Sequence, residues 1–323
     1  MNIISGIQTI ATGFNLDHIP VSDEMISHAG SSVWTAAGAP LDTPRMNVGI
    51  TDGALTAWFL TSGNIRGWTG PRRLYISPTN YLRLNNPAGG GDQNLSYDGD
   101  IQRPGAVSNV ISGLVSLAPG IATVVRPPVG QCWHITDFGS DQWVGILPTL
   151  PNLRVELIDN VNAVIVVDGT NSKLWFTESM GLYIDNATYI RITNTSIGQA
   201  TVGWSGIISR PQPATQRMTR SALAVVLAGG TLDIAPINTR EEWLVTGIYS
   251  SNLFGIAPDQ FPDVNVEANN GVIASLQARN SDAPLWLHHP NIPVSSTRYI
   301  TITDTSGIGG TLGYSAILTK VGL

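Results

Sequence analysis

The chain has 323 residues, 42% of them apolar and only 12% charged, with a net charge of −6. At roughly 100–200 residues per domain this length suggests two or three domains, and so apolar a chain is not an extended disordered one. The mildly acidic balance speaks against a nucleic-acid binder, and the 34 Gly and 20 Pro speak against a long helical bundle.

The start, Met1-Asn2-Ile3-Ile4-Ser5-Gly6, has no basic segment followed by an apolar core, so no signal peptide is expected. No run approaches the roughly 18 apolar residues of a membrane span. In chain order the first landmarks are Ser5-Gly6-Ile7, Pro20, Ser31 followed by Trp34, and Pro44 before a strand with Val48. Trp68, Tyr81-Leu82-Arg83-Leu84-Asn85-Asn86 and Tyr97-Asp98-Gly99-Asp100-Ile101 come next.

The same order then restarts with Ser112-Gly113-Leu114, Pro128, Ser140 to Trp143, Pro151 before Val155 and Trp175. It continues through Tyr189-Ile190-Arg191-Ile192-Thr193-Asn194 to Trp204-Ser205-Gly206-Ile207. A third pass begins at Ser221-Ala222-Leu223 and Pro236, then Ser251 to Phe254, Pro262 before Val266, and Trp286. It closes with Tyr299-Ile300-Thr301-Ile302-Thr303-Asp304 and Tyr314-Ser315-Ala316-Ile317. About eight landmarks repeat at offsets of 107–111 residues. They divide the chain into three tandem homologous units, 1–104 (the most divergent), 105–213 and 214–323.

Each unit is a series of short period-2 runs, such as Leu153–Leu157 and Ala163–Asp168, broken by turn residues roughly every 8–12 positions. The expected fold is all-β: three tandem antiparallel β-sandwiches of seven or eight strands each, jelly-roll-like in topology. The repeated Trp and Tyr landmarks are expected in or beside each core. Pro-containing joints, Gln102–Gly105 and Ser209–Gln216, are long enough to set the sandwiches side by side.

No set of side chains announces chemistry. The five histidines, His18, His28, His134, His288 and His289, do not recur between units, and no metal-ligand spacing is present. Ala88–Asp92 reads as a flexible loop, Asp98–Asp100 and Asp259–Asp263 as solvated loops, and Thr303–Gly307 as the turn closing a strand. Catalytic, cofactor and metal sites are therefore not expected. The lone Cys132 permits no intrachain disulfide, which suits assembly in a reducing cytosol.

Of 17 basic residues only Lys173 and Lys320 are lysine. Interfaces are depleted in Lys and enriched in Arg and Trp, so this bias suits a chain buried in an assembly; a coding bias would give the same ratio. The Tyr-x-Arg/Thr-Ile-Thr-Asn/Asp-Thr strand, the Trp/Tyr-Ser-Gly/Ala-Ile strand and the turn Pro128-Val129-Gly130-Gln131-Cys132-Trp133 resemble the β-sandwich virion proteins of tailed bacteriophages. The resemblance is best in units two and three, and unit one departs from it at Pro20–Met25 and 88–91. It implies a non-enzymatic capsid decoration (cement) or head-spike protein, often trimeric, assembled in the host bacterial cytoplasm. The implied partners are the major capsid protein or other virion proteins, with no nucleic acid, membrane or cofactor.

Three units could surround a pseudo-threefold, or the chain could form a homotrimer. The expected contact residues are Arg45, Trp68, Arg103 and Arg210, with the polar segments 1–13 and 35–46 as arms. The alternative is a receptor- or carbohydrate-binding component of a tail, using Trp68, Trp175 and Trp286 as a stacking surface. A polysaccharide depolymerase is the least favoured, since the short coil-by-coil repeat of a β-helix is missing.

Overall fold

A computed structural model describes residues 3–32, 34–36, 42–61, 73–87, 91–101, 109–144, 150–169, 181–211, 219–254, 261–272, 274–278 and 291–321. Among these residues every regular element is a strand, and no helix is long and apolar enough to cross a membrane.

The first set of strands is β1 (Ile3–Ile10), β2 (Asn15–His18), β3 (Glu24–Ser31), β4 (Trp34–Ala36), β5 (Asp42–Pro44), β6 (Asn47–Thr51), β7 (Thr56–Leu60), β8 (Leu74–Ile76), β9 (Tyr81–Asn85) and β10 (Gln93–Ile101). The second is β11 (Val110–Leu117), β12 (Ala122–Val125), β13 (Gln131–Ser140), β14 (Trp143–Val144), β15 (Leu150–Pro151), β16 (Leu153–Ile158), β17 (Ala163–Asp168), β18 (Leu182–Ile184), β19 (Tyr189–Asn194) and β20 (Ala200–Pro211). The third is β21 (Ala222–Val226), β22 (Thr231–Ile234), β23 (Glu241–Ser250), β24 (Leu253–Phe254), β25 (Phe261–Pro262), β26 (Val264–Asn269), β27 (Ala274–Ala278), β28 (Ile292–Val294), β29 (Tyr299–Asp304) and β30 (Gly310–Val321).

All pairings are antiparallel, and the order repeats. One layer runs β1-β10-β3-β8, β11-β20-β13-β18 and β21-β30-β23-β28; the facing layer runs β2-β9-β6-β7, β12-β19-β16-β17 and β22-β29-β26-β27. This is jelly-roll order with eight main strands per set, plus one small hairpin (β4–β5, β14–β15, β24–β25). Period-2 patterning does the local work: in β19 Ile190 and Ile192 are buried while Arg191 and Thr193 face outward.

Each set has its own apolar cluster, around Ile50, Leu82 and Leu84 in the first, Leu157, Ile190 and Ile192 in the second, and Val266, Ile300 and Ile302 in the third. A bulge recurs where β3, β13 and β23 pair with the last strand of their set. There Ser27, Thr136 and Thr246 each donate a hydroxyl hydrogen bond of 3.2 Å to the carbonyl of Asp98, Ser205 and Ser315. Gly6 and Gly113 are small because an aromatic ring lies across them: a Cβ would come within 2.5 Å of Tyr97 and 2.2 Å of Trp204.

Three expectations are corrected. Residues 3–10 are not a free arm but β1, paired residue for residue with β10. Asp98–Asp100 lie within β10 rather than in a loop. The third serine landmark is Ser250, not Ser251: Ser31, Ser140 and Ser250 face Leu95, Val202 and Leu312 in equivalent register, and Leu253 rather than Phe254 pairs with the hairpin proline. Cys132 is fully buried.

Candidate functional site

The four residues expected at a contact do not converge. Arg45 sits half-buried between β5 and β6, its carbonyl held by Gln93 Nε2 at 2.6 Å. The backbone of Arg210 faces Cys132 in β20, in the register where Lys320 faces Glu242. Trp68 and Arg103 lie outside the described residues, as do Trp175, Trp286 and His288-His289.

What the structure does build is a pair of matching joints between successive sets. At each one the outer strand of one set meets the bulged strand of the next through a single bridge, Trp58 with Ser140 and Ile165 with Ser250, joining the layers into eight-stranded sheets. A buried serine then grips the preceding set's backbone. Ser205 Oγ accepts the Tyr75 N–H at 2.8 Å and donates to its carbonyl at 2.9 Å. Ser315 does the same with Tyr183 at 2.9 and 3.4 Å.

A residue on a turn reaches across to the next set's first strand or the residue before it: Asn80 Nδ2 donates to the Ser112 carbonyl at 3.1 Å, and Thr188 Oγ1 to that of Ser221 at 3.3 Å. Leu114 and Leu223 pack into the preceding core. Each joint has its own addition. In the first, the Asp23 carboxylate accepts the N–H groups of Asn109 and Val110 at 2.7 and 3.1 Å; in the second, buried Thr219 donates to Asp185. No strand of the third set pairs with the first among the described residues, so strand pairing there links the sets in series and closes no ring.

Beside the first joint lies a cleft of about 520 Å³, lined by the Ser77–Asn80 turn, Val110–Ser112, Val124–Arg126 and the indoles of Trp133 and Trp204. The first set makes the same corner polar. By register, His18, Glu24 and Tyr97 stand where Val125, Trp133 and Trp204 stand in the second set and Ile234, Trp243 and Tyr314 in the third. The Tyr97 hydroxyl lies 2.7 Å from His18 Nδ1, and His18 Nε2 lies 2.6 Å from the buried Glu24 carboxylate. Burial, and secondly Glu24, push the Tyr97 phenol above its ordinary value, which favours its neutral, hydrogen-bonding form. Among the described residues no group of three or more His, Cys, Asp or Glu could hold a metal ion.

The surface carries a repeating feature that sequence reading passed over. At the tip of the loop after the second strand, Val21, Val129 and Ile237 are 94%, 84% and 99% exposed. They are 108 residues apart, each following Pro20, Pro128 or Pro236. The antiparallel order puts Val161 and Val272, also exposed, on the same end of their sets. Phe14, Ile121 and Leu227, with Ile197 and Ile308, are exposed at the opposite end. The prolines were legible as landmarks; the exposed aliphatic after each was the unused signal.

No family model matches the chain, and no curated protein matches it. Among solved structures it has a likeness to a chain from "The Triple Jelly Roll Fold and Turret Assembly in an Archaeal Virus", at 10% identity and TM-score 0.22, covering 99% of this chain and 91% of that one. Another is to a chain from the X-ray structure of the entire lipid-containing bacteriophage PM2, at 11% identity and TM-score 0.17, covering 99% and 87%. Likenesses this weak carry no argument about what the chain does.

Proposed function

We propose that the chain is a structural virion protein of three jelly-roll domains, 1–104, 105–213 and 214–323, which binds the outer capsid surface and bridges neighbouring capsid subunits. The observation that carries this reading is the exposed aliphatic tip, Val21, Val129 or Ile237, that recurs once in each domain. An exposed apolar side chain kept at the same place in every domain is what a partner-contacting position shows. One tip buries little area, but three on a single chain act together, and linked weak contacts multiply rather than add. The charge-poor, Lys-poor composition fits a surface meant to be covered.

The test is co-sedimentation with purified capsids of the virus that encodes the chain. Val21→Asp, Val129→Asp and Ile237→Asp together are expected to abolish binding while the β-sheet circular dichroism stays unchanged. Undiminished binding by the folded triple variant rules out these tips as the contact.

A second reading, a carbohydrate- or receptor-binding tail component, draws on the cleft with Trp133 and Trp204, since half-buried indoles beside Asn80 and Arg126 suit a sugar face and its hydroxyls. Binding on a glycan array that Trp204→Ala removes would favour it over the capsid role.

A further inference from the structure

The joint is directional: each set offers a trailing face to the next and a leading face to the one before, and the chain uses this pairing twice. One leading face, on the first set, and one trailing face, on the third, are left over among the described residues. Such a contact is head-to-tail, so a chain with both faces intact would add copies end to end. The apolar parts of the joint persist on both. Ile7 stands where Leu114 and Leu223 stand and is 74% exposed; Leu276 stands where Trp58 and Ile165 stand and is 41% exposed.

The parts that decide fit are reversed. In the internal joints the last strand carries Gly203 and Gly313, and a Cβ there would lie 2.7 Å from Ala57 Cβ and 2.9 Å from Val164 Cγ2 of the preceding set. The first set has Ser96 at this position, with a Cβ that the close approach excludes. The gripping serine, Ser205 or Ser315, is replaced by exposed Asp98. A serine hydroxyl both accepts from the backbone N–H and donates to its carbonyl; a carboxylate only accepts, and seating it in the joint would bury a charge. On the third set, Pro293 stands where Tyr75 and Tyr183 donate their N–H, and proline has none to give. Its own sheet loses nothing, because that N–H would point outward.

We infer that Ser96, Asp98 and Pro293 block end-to-end addition of a second copy of this chain by disabling, on the two faces left over among the described residues, the joint the fold uses twice inside. This goes beyond the virion reading and does not rest on it. Three changes of different kinds, steric, electrostatic and hydrogen-bonding, fall on the contact positions of the two faces that have no strand partner among the described residues. Edge protection of this sort is how β-proteins avoid open-ended pairing.

The experiment restores the joint in the full chain with Ser96→Gly, Asp98→Ser and Pro293→Tyr, and follows mean mass by light scattering from micromolar to near-millimolar protein. The wild-type chain is expected to hold a finite mass, as a single chain or a closed oligomer through another surface. The restored variant is expected to grow with concentration, at least doubling its mean mass. A folded restored variant that keeps the wild-type mass throughout overturns the inference; so does open-ended wild-type growth that Ile7→Asp abolishes. If the restored variant does not fold, the reverse transplant decides. Gly203→Ser with Ser205→Asp should part the first set from the second and raise the radius of gyration in X-ray scattering with the sheet signal retained. An unchanged radius overturns the inference.

Discussion

The two joints share their bridge and their serine grip but fill the space between sets from opposite sides. In the first, buried Phe59 belongs to the preceding set and faces Gly139, where a Cβ would lie 3.0 Å from the ring and 2.6 Å from the Trp58 carbonyl. In the second, the counterpart of Phe59 is Val166, the counterpart of Gly139 is Tyr249, and the tyrosine is fully buried in the core of the preceding set. At this pair of positions each joint holds one aromatic ring, and which partner supplies it differs. Packing at native density constrains the total volume across an interface and leaves its division between partners free.

Removing the rings should break each joint separately. Tyr249→Ala and Phe59→Ala are each expected to cost about 3–5 kcal/mol of stability, measured as a lower urea midpoint. A double-mutant cycle sharpens the comparison: Gly139→Tyr alone overpacks the first joint and is expected to cost at least about 1–3 kcal/mol. Adding Phe59→Val, which copies the second joint into the first, should recover part of that loss. Strictly additive losses would show that the two positions do not share one space.

Where the joints are alike, the effects should be alike. Ser205→Ala and Ser315→Ala each strand a backbone N–H, at about 1–3 kcal/mol apiece. A large inequality would mean that Asp23 or the Asp185–Thr219 pair carries one joint alone.

The smallest effect is alkaline. Burial pushes the Tyr249 phenol well above its ordinary value of 10.0, so the folded chain favours the neutral form. A pKa raised on folding gives a contribution fully present below the unfolded value and lost as pH rises past it, because only the unfolded state then ionises. Stability should therefore fall above about pH 10, and less steeply in Tyr249→Phe, as followed by urea titrations at several pH values. An identical slope in the two proteins would place the titrating group elsewhere.

The strand pattern and the repeat were legible because both are local or periodic. Tyr189–Asn194 alternates on paper as it does in the sheet, and Ser-Gly-Ile/Leu recurs because an aromatic ring crosses the small residue in the first two sets. The joints were not legible. Ser205 and Ser315 read as ordinary strand serines until the register sets them against Tyr75 and Tyr183, 130 and 132 residues earlier in the chain. Asp98 read as part of a solvated loop because aspartate with glycine is turn composition, whereas the pairing of β10 with β1 on one side and β3 on the other makes it a strand residue. The polar corner of His18, Glu24 and Tyr97 was hidden for the same reason, since its members belong to three strands.

The division of the cores bears on the order in which the chain can fold as it is made. The first cluster is completed by Leu114 of the second set, and the second by Leu223 and Tyr249 of the third. The third draws only on its own strands among the described residues. During synthesis from the N-terminus, each of the first two sets therefore emerges with an apolar gap that the following one fills. The third set, whose cluster is self-contained among the described residues, emerges after the other two, and its arrival closes the core of the second.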